Sequence, residues 1–322
     1  MKHTGIKKED ELVTIICFTY NHEKYIKYAL DGFLSQKTDF KFKIIIHDDA
    51  STDATGDLIE KYAEKYPEII IPIIQKQNQR QSGIRGMALE RKTIFPLLNS
   101  KYVAFCEGDD YWTDEYKLQY QIDFMEAHPA YVGTVHNSIT LDMRKGTKEK
   151  YNKCWNSDRD VSLSDVISGN YGIYQTASLV CKTENYINPP DYFDLISVGD
   201  YPRALQLTTE GKVRYFAKIM SVYRYASGVD SWTNRYLANK YNFRNRCIRI
   251  YSEEKMLERL LDLNPKYIEQ IIPTLIKKEY DYNYFSGNIK EIKRKNELLK
   301  IYSEESIIRK LKLHILSLVN RG

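Results

Sequence analysis

Several features that mark specialised protein classes are missing from this sequence. Its five cysteines are odd in number and widely spread, with no CxxC pair and no Cys/His cluster. This pattern excludes the common zinc sites, and cysteines inside apolar runs are typical of reduced thiols. We therefore expect a protein of a reducing compartment.

Long apolar runs are also missing. No run approaches the roughly 20 residues that a transmembrane helix needs, and the N-terminal MKHTGIKKEDE lacks the apolar core of a signal peptide. The expected location is therefore cytoplasmic. A formal net charge of +5 on 322 residues is too small to indicate a nucleic-acid partner, although local contact with an anionic substrate or a membrane surface stays open.

Glycine-rich phosphate loops are the third absence. No GxGxxG motif follows a predicted strand, which argues against a redox dinucleotide-binding protein. The segment after the first predicted strand, FTYNHEKY, contains no glycine. A sugar-nucleotide pyrophosphorylase would need a basic, glycine-rich loop at this place, so that class of sugar nucleotidyltransferase is disfavoured.

The sequence does contain a regular alternation of short apolar runs and amphipathic segments. We predict strands over residues 12–18, 42–47, 68–75 and 102–106, and helices over 22–36, 52–66, 83–98 and from 113 onward. This β-α rhythm predicts an α/β fold, a largely parallel sheet with helices on both faces. Pro72 moves the third strand toward an edge or a bulge.

Beyond residue 130 the rhythm loosens. Strands are predicted for YVGTVHNSIT, IYQTASLVCK and VRYFAKIMSVYRYA, the last as one or two strands, with a helix that ends at Gly211. From about residue 231 the chain has the pattern of amphipathic helices without a strand signal. We therefore predict an α/β domain over residues 1–232 and a helical C-terminal region over residues 233–322.

Polar clusters follow each of the first four predicted strands: TYNHE, DDASTD, QNQRQ and EGDD. Because ligands bind beyond the carboxyl ends of parallel strands, these loops are expected to meet at one crevice. Glu107, Asp109 and Asp110 suit Mg²⁺ or Mn²⁺, which bind carboxylates together with substrate phosphates. The alternative is that Asp109, Asp110 and Asp114 cap the following helix, for which Thr113 is also a candidate N-cap.

The second loop carries a further acidic pair. Asp48 and Asp49 can accept hydrogen bonds from the N–H groups of a heterocycle, whereas Ser51 or Asp53 is expected to cap the next helix. Helix capping does not explain why two groups of carboxylates face each other across one crevice.

The blocks around these loops resemble a known family. VTIICFTYNHEKYIKYALDGFLSQ, KIIIHDDASTDATGDLIEKY and KYVAFCEGDDYWTDEYKLQYQIDFMEAHP are similar, in order and spacing, to successive blocks of family-two glycosyltransferases, which are inverting enzymes with a GT-A fold. The resemblance covers about residues 11–235. It implies a Rossmann-like, mixed but mostly parallel sheet, a nucleotide-sugar donor and a role in bacterial surface-glycan biosynthesis.

The resemblance also implies roles for individual residues. The donor nucleotide is assigned to Thr19, Tyr20, Asn21, Asp48 and Asp49, and the metal, Mn²⁺ or Mg²⁺, to Asp109, Asp110 and Glu107. Since Glu107 stands where the family often has an aspartate, the two aspartates are the better metal ligands.

The leaving diphosphate needs stabilisation of its charge, for which Arg80, Arg85 and Arg224 are candidates. A histidine that the family often has after the last of these is replaced by Ala226. Trp112 is expected to line the wall of the site, where it could stack on a sugar face, with a place in the core as the alternative.

An inverting transfer also needs a base on the face opposite the leaving group. Asp200, in the block SVGDYPRALQLTTEG, matches the family's aspartate, and its alternative role is to cap the helix that begins near Tyr201. Gln175, Thr176 and Ser178 match a block that lines the acceptor side.

The leading hypothesis is a cytoplasmic, metal-dependent, inverting glycosyltransferase that moves a sugar from a UDP-sugar to a glycan, lipid-linked or protein-linked acceptor. The non-catalytic alternative is a nucleotide-sugar-binding module.

His22, His47 and His136 lack metal-ligand spacing and are expected to be incidental. The basic stretch IIRKLKLHILSLVNRG suits a peripheral membrane contact, packing within the helical region or a homodimer contact equally well.

Overall fold

The computed structural model describes residues 11–79, 82, 86–169, 172–196, 199–228, 231, 233–234 and 242–286. Its strands are β1 Glu11–Thr19, β2 Lys41–Asp48, β3 Ile70–Ile74, β4 Tyr102–Phe105, β5 Tyr111–Trp112, β6 Tyr131–Asp142, β7 Thr147–Lys150, β8 Arg159–Val161, β9 Val180–Lys182 and β10 Lys212–Tyr225. Its helices are α1 Ile26–Leu34, α2 Thr55–Lys65, α3 Gly86–Thr93, α4 Lys117–Ala127, α5 Leu163–Gly169, α6 Thr183–Ile187, α7 Asp200–Glu210, α8 Phe243–Leu263 and α9 Ile268–Ser286.

The strands of this part of the chain form one mixed sheet. Its order is β3-β2-β1-β4-β9-β6-β10-β5, with β7 beside β6 and β8 beside β10. The four strands β3, β2, β1 and β4 are parallel, β9 is antiparallel to both β4 and β6, and β6 and β10 are parallel to each other. The predicted α/β architecture, a mixed sheet flanked by helices, is confirmed.

The parallel half is built from runs of apolar residues that are buried on both faces. Val13, Ile15 and Ile16 of β1 are at most 1% exposed, as expected for strands covered by helices on both sides. The register pairs Thr19 with Asp48, so β1 and β2 end together at one edge of the sheet. Pro72 lies in β3 at the edge of the sheet, as predicted.

The described part of the C-terminal region packs on the same core. Met256 and Leu257 of α8 and Ile271 of α9 belong to the apolar cluster that contains Val103 of β4 and Tyr201 of α7. Within this helical pair, Lys278 and Glu253 form a buried ion pair. The division at residue 232 stays a prediction, and the basic stretch after residue 290 lies outside the described residues.

Several predicted elements differ in detail from those observed. Helix α1 begins at Ile26 because the N–H groups of Tyr25 and Ile26 both donate to the carbonyl of His22, which forms a turn first. The predicted strand IYQTASLVCK is instead a 3₁₀ turn over Thr176–Ser178 followed by β9. No helix in the described ranges is long and apolar enough to cross a membrane.

Candidate active site

The acidic loop after β4 folds over the end of β1. The N–H of Gly108 donates to the carbonyl of Phe18 at 2.9 Å. A Cβ on Gly108 would lie 2.7 Å from Thr19 Oγ1 and 3.0 Å from His22 Nδ1. Only glycine therefore allows this close approach, which fixes where the neighbouring carboxylates lie.

Glu107, Asp109 and Asp110 lie together beyond β4. One carboxylate oxygen from each can be chosen so that all three lie within 4.8 Å of one another. Asp110 is 1% exposed, and burial together with the charges of Asp109 and Glu107 raises its pKa well above the usual range. Carboxylates crowded in this way provide the hard oxygen donors that suit Mg²⁺ or Mn²⁺.

The structure excludes the capping alternative for Asp109 and Asp110, whereas Asp114 Oδ1 accepts a hydrogen bond at 2.8 Å from the N–H of Tyr116 at the start of α4. Strand β5 follows the cluster directly, and α4 begins only at Lys117, with Tyr116 at its N-cap position. The predicted N-cap role of Thr113 is therefore wrong. Asp110 instead accepts a hydrogen bond at 2.8 Å from the N–H of Arg224, and Asp109 accepts one at 2.6 Å from the hydroxyl of Ser227.

Arg224 is buried beneath the acidic loop. Its guanidinium donates to the carbonyl of Asp109 and lies over the rings of Tyr25, Tyr28 and Tyr111, 4.5 to 4.9 Å from their centroids. Cation–π contacts and a hydrogen bond therefore hold β10 against the loop. A direct contact of Arg224 with a diphosphate stays a prediction. Arg80 and Arg85 lie outside the described residues.

The loops after β1 and β2 are tied to each other. The N–H of Asn21 donates to Ser51 Oγ, and the N–H of Thr52 donates to Asn21 Oδ1, both at 2.8 Å. Ser51 in turn donates from its N–H to Asp48 at 2.9 Å. Ser51 therefore joins the two loops and does not cap α2, whose N-cap residue is Ala54.

The other residues predicted for nucleotide binding lie at the same edge. Asp49 is buried and accepts a hydrogen bond from the N–H of Gln79 at 2.7 Å. Thr19 is also buried, and its hydroxyl has no hydrogen-bond partner. Tyr20 is half-buried. The structure brings these residues together, and their contacts with a nucleotide stay predictions.

Backbone strain is concentrated at this edge. The non-glycine residues with positive φ in the described ranges are Asn21 at 55°, Ala50 at 61° and Ala226 at 59°. They follow β1, β2 and β10. Asparagine tolerates this conformation, whereas alanine pays an energetic cost that a fold retains mainly at functional sites.

His22, expected to be incidental, lies beside the acidic cluster. Its Nε2 lies 3.8 Å from Asp109, and its Nδ1 is buried without a hydrogen-bond partner. Burial lowers the pKa of His22 despite the nearby carboxylates. Sequence spacing could not reveal this contact, because 87 positions separate the two residues in the chain.

Asp200 is the first residue of α7, with Gly199 at the N-cap position. Helix α7 ends at Glu210 and β10 begins at Lys212. The last turn of α7 therefore lies at the amino edge of the sheet, and its first turn lies toward the carboxyl edge. Thr176 donates a hydrogen bond to Asp200 Oδ1 at 3.2 Å. The predicted base therefore meets Thr176, a residue predicted for the acceptor side, although the role of Asp200 as a base stays a prediction.

Two predicted site residues belong to the core. Trp112 is 3% exposed, donates from Nε1 to the carbonyl of Ala177 at 2.8 Å and packs against Phe33. Ser178 is fully buried and donates to the carbonyl of Gln175. Trp112 therefore fills the core, which is the alternative expected for it, and contacts of Trp112 or Ser178 with a donor or an acceptor stay predictions.

A buried cation lies behind Trp112. The Lys117 Nζ is 4.0 Å from the centre of the Trp112 ring and has no hydrogen-bond partner. Burial lowers the pKa of Lys117 to about 7. His136, which is also buried, has its pKa lowered by burial and by the charge of Lys117.

The family comparison identifies the protein class. Residues 14–177 match the family model of glycosyl transferase family 2, which is about half of the 322 residues. The chain therefore belongs to glycosyltransferase family 2, and the predicted resemblance is confirmed.

The chain is similar to an uncharacterized mycobacterial protein and to a glucosyltransferase. The uncharacterized protein Rv1520 of Mycobacterium tuberculosis is 32% identical over 255 residues, which is 78% of this chain and 68% of that protein. A 132-residue stretch is 36% identical to the Escherichia coli UDP-Glc:alpha-D-GlcNAc-diphosphoundecaprenol beta-1,3-glucosyltransferase WfaP, covering 41% of this chain and 48% of that protein.

Solved structures agree on the fold. Residues 1–349 of Staphylococcus aureus TarS match with a TM-score of 0.56 and 17% identity over 91% of both chains. The same protein has been solved in complex with UDP-GlcNAc, with a TM-score of 0.53, 19% identity and coverage of 85% of this chain and 81% of that one. The predicted GT-A fold is confirmed.

Proposed function

We propose that this protein is an inverting, divalent-metal-dependent glycosyltransferase that moves a sugar from a UDP-sugar to a hydroxyl of a saccharide acceptor. The observation that carries the proposal is the cluster of Glu107, Asp109 and Asp110 at the carboxyl ends of the parallel strands. In a chain of this family, such a cluster is best explained by a metal-bound diphosphate.

The cluster residues would hold Mn²⁺ or Mg²⁺. The bound ion would neutralise charge on the leaving diphosphate. Thr19, Tyr20, Asn21, Asp48 and Asp49 would bind the nucleotide, with the two tied loops fixing their positions. Because these loops are held by hydrogen bonds within the protein, little ordering is needed when the donor binds.

Asp200 is proposed as the base. It would accept the proton of the acceptor hydroxyl while the hydroxyl oxygen bonds to the anomeric carbon and the bond from that carbon to the diphosphate oxygen breaks. The electron pair of the broken bond leaves with UDP. Thr176 would orient Asp200 through its hydrogen bond.

The choice of a UDP-sugar and of a surface-glycan or lipid-linked acceptor is supported by the similar proteins. WfaP is named for a UDP-glucose donor and a diphosphoundecaprenol acceptor, and TarS has been solved with UDP-GlcNAc. A non-catalytic nucleotide-sugar-binding module is the second candidate. It would retain the acidic cluster but would not turn a donor over.

The test is donor hydrolysis by the purified protein. UDP-, GDP-, CMP- and dTDP-sugars are each supplied with Mn²⁺, Mg²⁺ or EDTA. The proposal predicts nucleotide release from a UDP-sugar that is abolished by EDTA and by Asp110→Asn, but not by Asp123→Asn, a matched change at an exposed carboxylate on α4.

A failure to hydrolyse any donor is resolved by titrating UDP with Mn²⁺ into the same preparation. Binding without turnover when saccharide acceptors are supplied would favour the non-catalytic module. No binding of UDP or of the other nucleotides would overturn the proposal.

A further inference from the structure

Two tyrosines pack against each other near the acidic cluster and Asp200. Tyr223 lies near the end of β10, directly before the arginine that holds the acidic loop, and Tyr151 follows β7. Their rings are perpendicular, with centroids 6.2 Å apart. Both residues are half-buried, so part of each remains exposed to solvent.

The backbone holds both tyrosines against β6. The N–H of Tyr151 donates to the carbonyl of Ser138 at 2.8 Å, while Tyr223 is paired with Thr140 in the β6–β10 ladder. Because both tyrosines are attached to the same central strand, the two rings keep their relative positions.

Hydrogen bonds at the phenol groups extend this connection. The Tyr151 phenol is hydrogen-bonded to the side chain of Gln175, and the next residue, Thr176, donates to Asp200. The Tyr223 phenol pairs with the hydroxyl of Thr233 at 3.0 Å. Each phenol group therefore has its own hydrogen-bond partner, Gln175 for Tyr151 and Thr233 for Tyr223.

The pKa of each tyrosine is affected by a different group of carboxylates. Burial is the largest cause that raises the pKa of Tyr223, and the charges of Asp110 and Glu107 raise it further. Burial also raises the pKa of Tyr151, and the charge of Asp200 adds to this effect.

The geometry agrees: Tyr223 directly precedes Arg224, whose N–H donates to Asp110, and the Tyr151 side leads through Gln175 to Thr176, which donates to Asp200. The pair therefore lies between the metal-binding cluster and the base.

We propose that Tyr151 and Tyr223 form an aromatic surface that binds the transferred sugar of the donor. The inference rests on the proposed function. In an inverting transfer, the base and the leaving diphosphate lie on opposite sides of the anomeric carbon, so the donor sugar must lie between them. Aromatic faces pack well against the C–H groups of a sugar ring, and neutral phenols can hydrogen-bond to its hydroxyls.

The test distinguishes binding of the sugar from binding of the nucleotide. UDP, UDP-glucose and UDP-GlcNAc are titrated calorimetrically with Mn²⁺ into the wild type, Tyr151→Leu, Tyr223→Leu and the control Tyr120→Ala, a tyrosine 40% exposed on α4. At least one UDP-sugar is expected to bind each leucine variant about fivefold more weakly, with UDP affinity unchanged within about twofold. The control should change neither.

Equal changes for UDP and both UDP-sugars, or no change for any, would overturn the inference. If the wild type does not bind UDP, the proposed function fails instead. Should the leucine variants lose UDP binding because they unfold, saturation-transfer NMR on the wild type decides. Saturation of aromatic protons should reach the sugar ring of a bound UDP-sugar, and transfer confined to the uridine would overturn the inference.

Discussion

The two halves of the sheet build the site in different ways. In the half formed by β3, β2, β1 and β4, each functional loop directly follows its own parallel strand, and the register aligns Thr19 with Asp48. In the half formed by β9, β6, β10 and β5, the site depends on contacts between distant segments, such as that of Arg224 with Asp110. Local motifs therefore describe the first half, whereas the second half needs the assembled fold.

The bulges of β10 explain how the second half reaches the first. Its pairing with β6 shifts between Phe216 and Ile219 and again between Ile219 and Ser221. Ser221 then pairs with Trp112 of β5, which brings the end of β10 against the acidic loop. Bulges of this kind redirect a strand next to a functional site.

The largest expected effect distinguishes nucleotide binding from the sugar-transfer step. Asp200→Asn should lower the rate of sugar transfer by about 1,000-fold because the base is lost, with the affinity for UDP and Mn²⁺ unchanged. Transfer is measured with the donor found in the hydrolysis panel, and Glu184→Gln, an exposed change, is the control. A parallel loss of UDP affinity would show that the two halves are not separable in this way.

The second effect concerns the pH dependence of stability that buried Lys117 causes where the two halves of the sheet meet. The unfolded chain keeps the Lys117 proton up to a pKa of about 10.5, whereas the folded chain releases it near 7. Between these values the unfolded state binds more protons, so stability rises with pH. Lys117→Met should be more stable than the wild type at pH 7, and this advantage should shrink by about 3 kcal/mol by pH 10.

Urea unfolding at several pH values measures this difference. The exposed Lys61→Met is the matched control. A difference between Lys117→Met and the wild type that does not depend on pH would contradict the lowered pKa.

The third effect concerns the first half. Gly108→Ala places a Cβ 2.7 Å from Thr19 Oγ1, so the acidic loop must move. We expect affinity for UDP with Mn²⁺ to fall about tenfold, because a small displacement of binding groups is costly. Gly56→Ala is the control, since its Cβ would have no atom closer than 4.0 Å. Equal affinities of the two variants would argue against a precise loop position.

The smallest effect concerns strain. Ala226 has φ at 59°, and replacement by glycine removes an unfavourable contact of Cβ. Ala226→Gly should raise the free energy of unfolding, or leave it unchanged, relative to Ala63→Gly in helix α2, which should lower it by about 1 kcal/mol. Thermal and urea unfolding measure both. Equal destabilisation by the two changes would show that the positive φ costs nothing.

The sequence alone determined the protein class, the α/β sheet and the acidic cluster. These follow from hydrophobic periodicity and from polar residues placed directly after strands, which are local properties of the chain. Only the tertiary structure decided that Trp112 and Ser178 are buried and that His22 lies beside Asp109. It also revealed that Tyr25, Tyr28 and Tyr111 surround Arg224. Tyr151 and Tyr223 form a second group and pack against each other. Such contacts join residues far apart in sequence, and side-chain burial is fixed only when the strands and helices have packed.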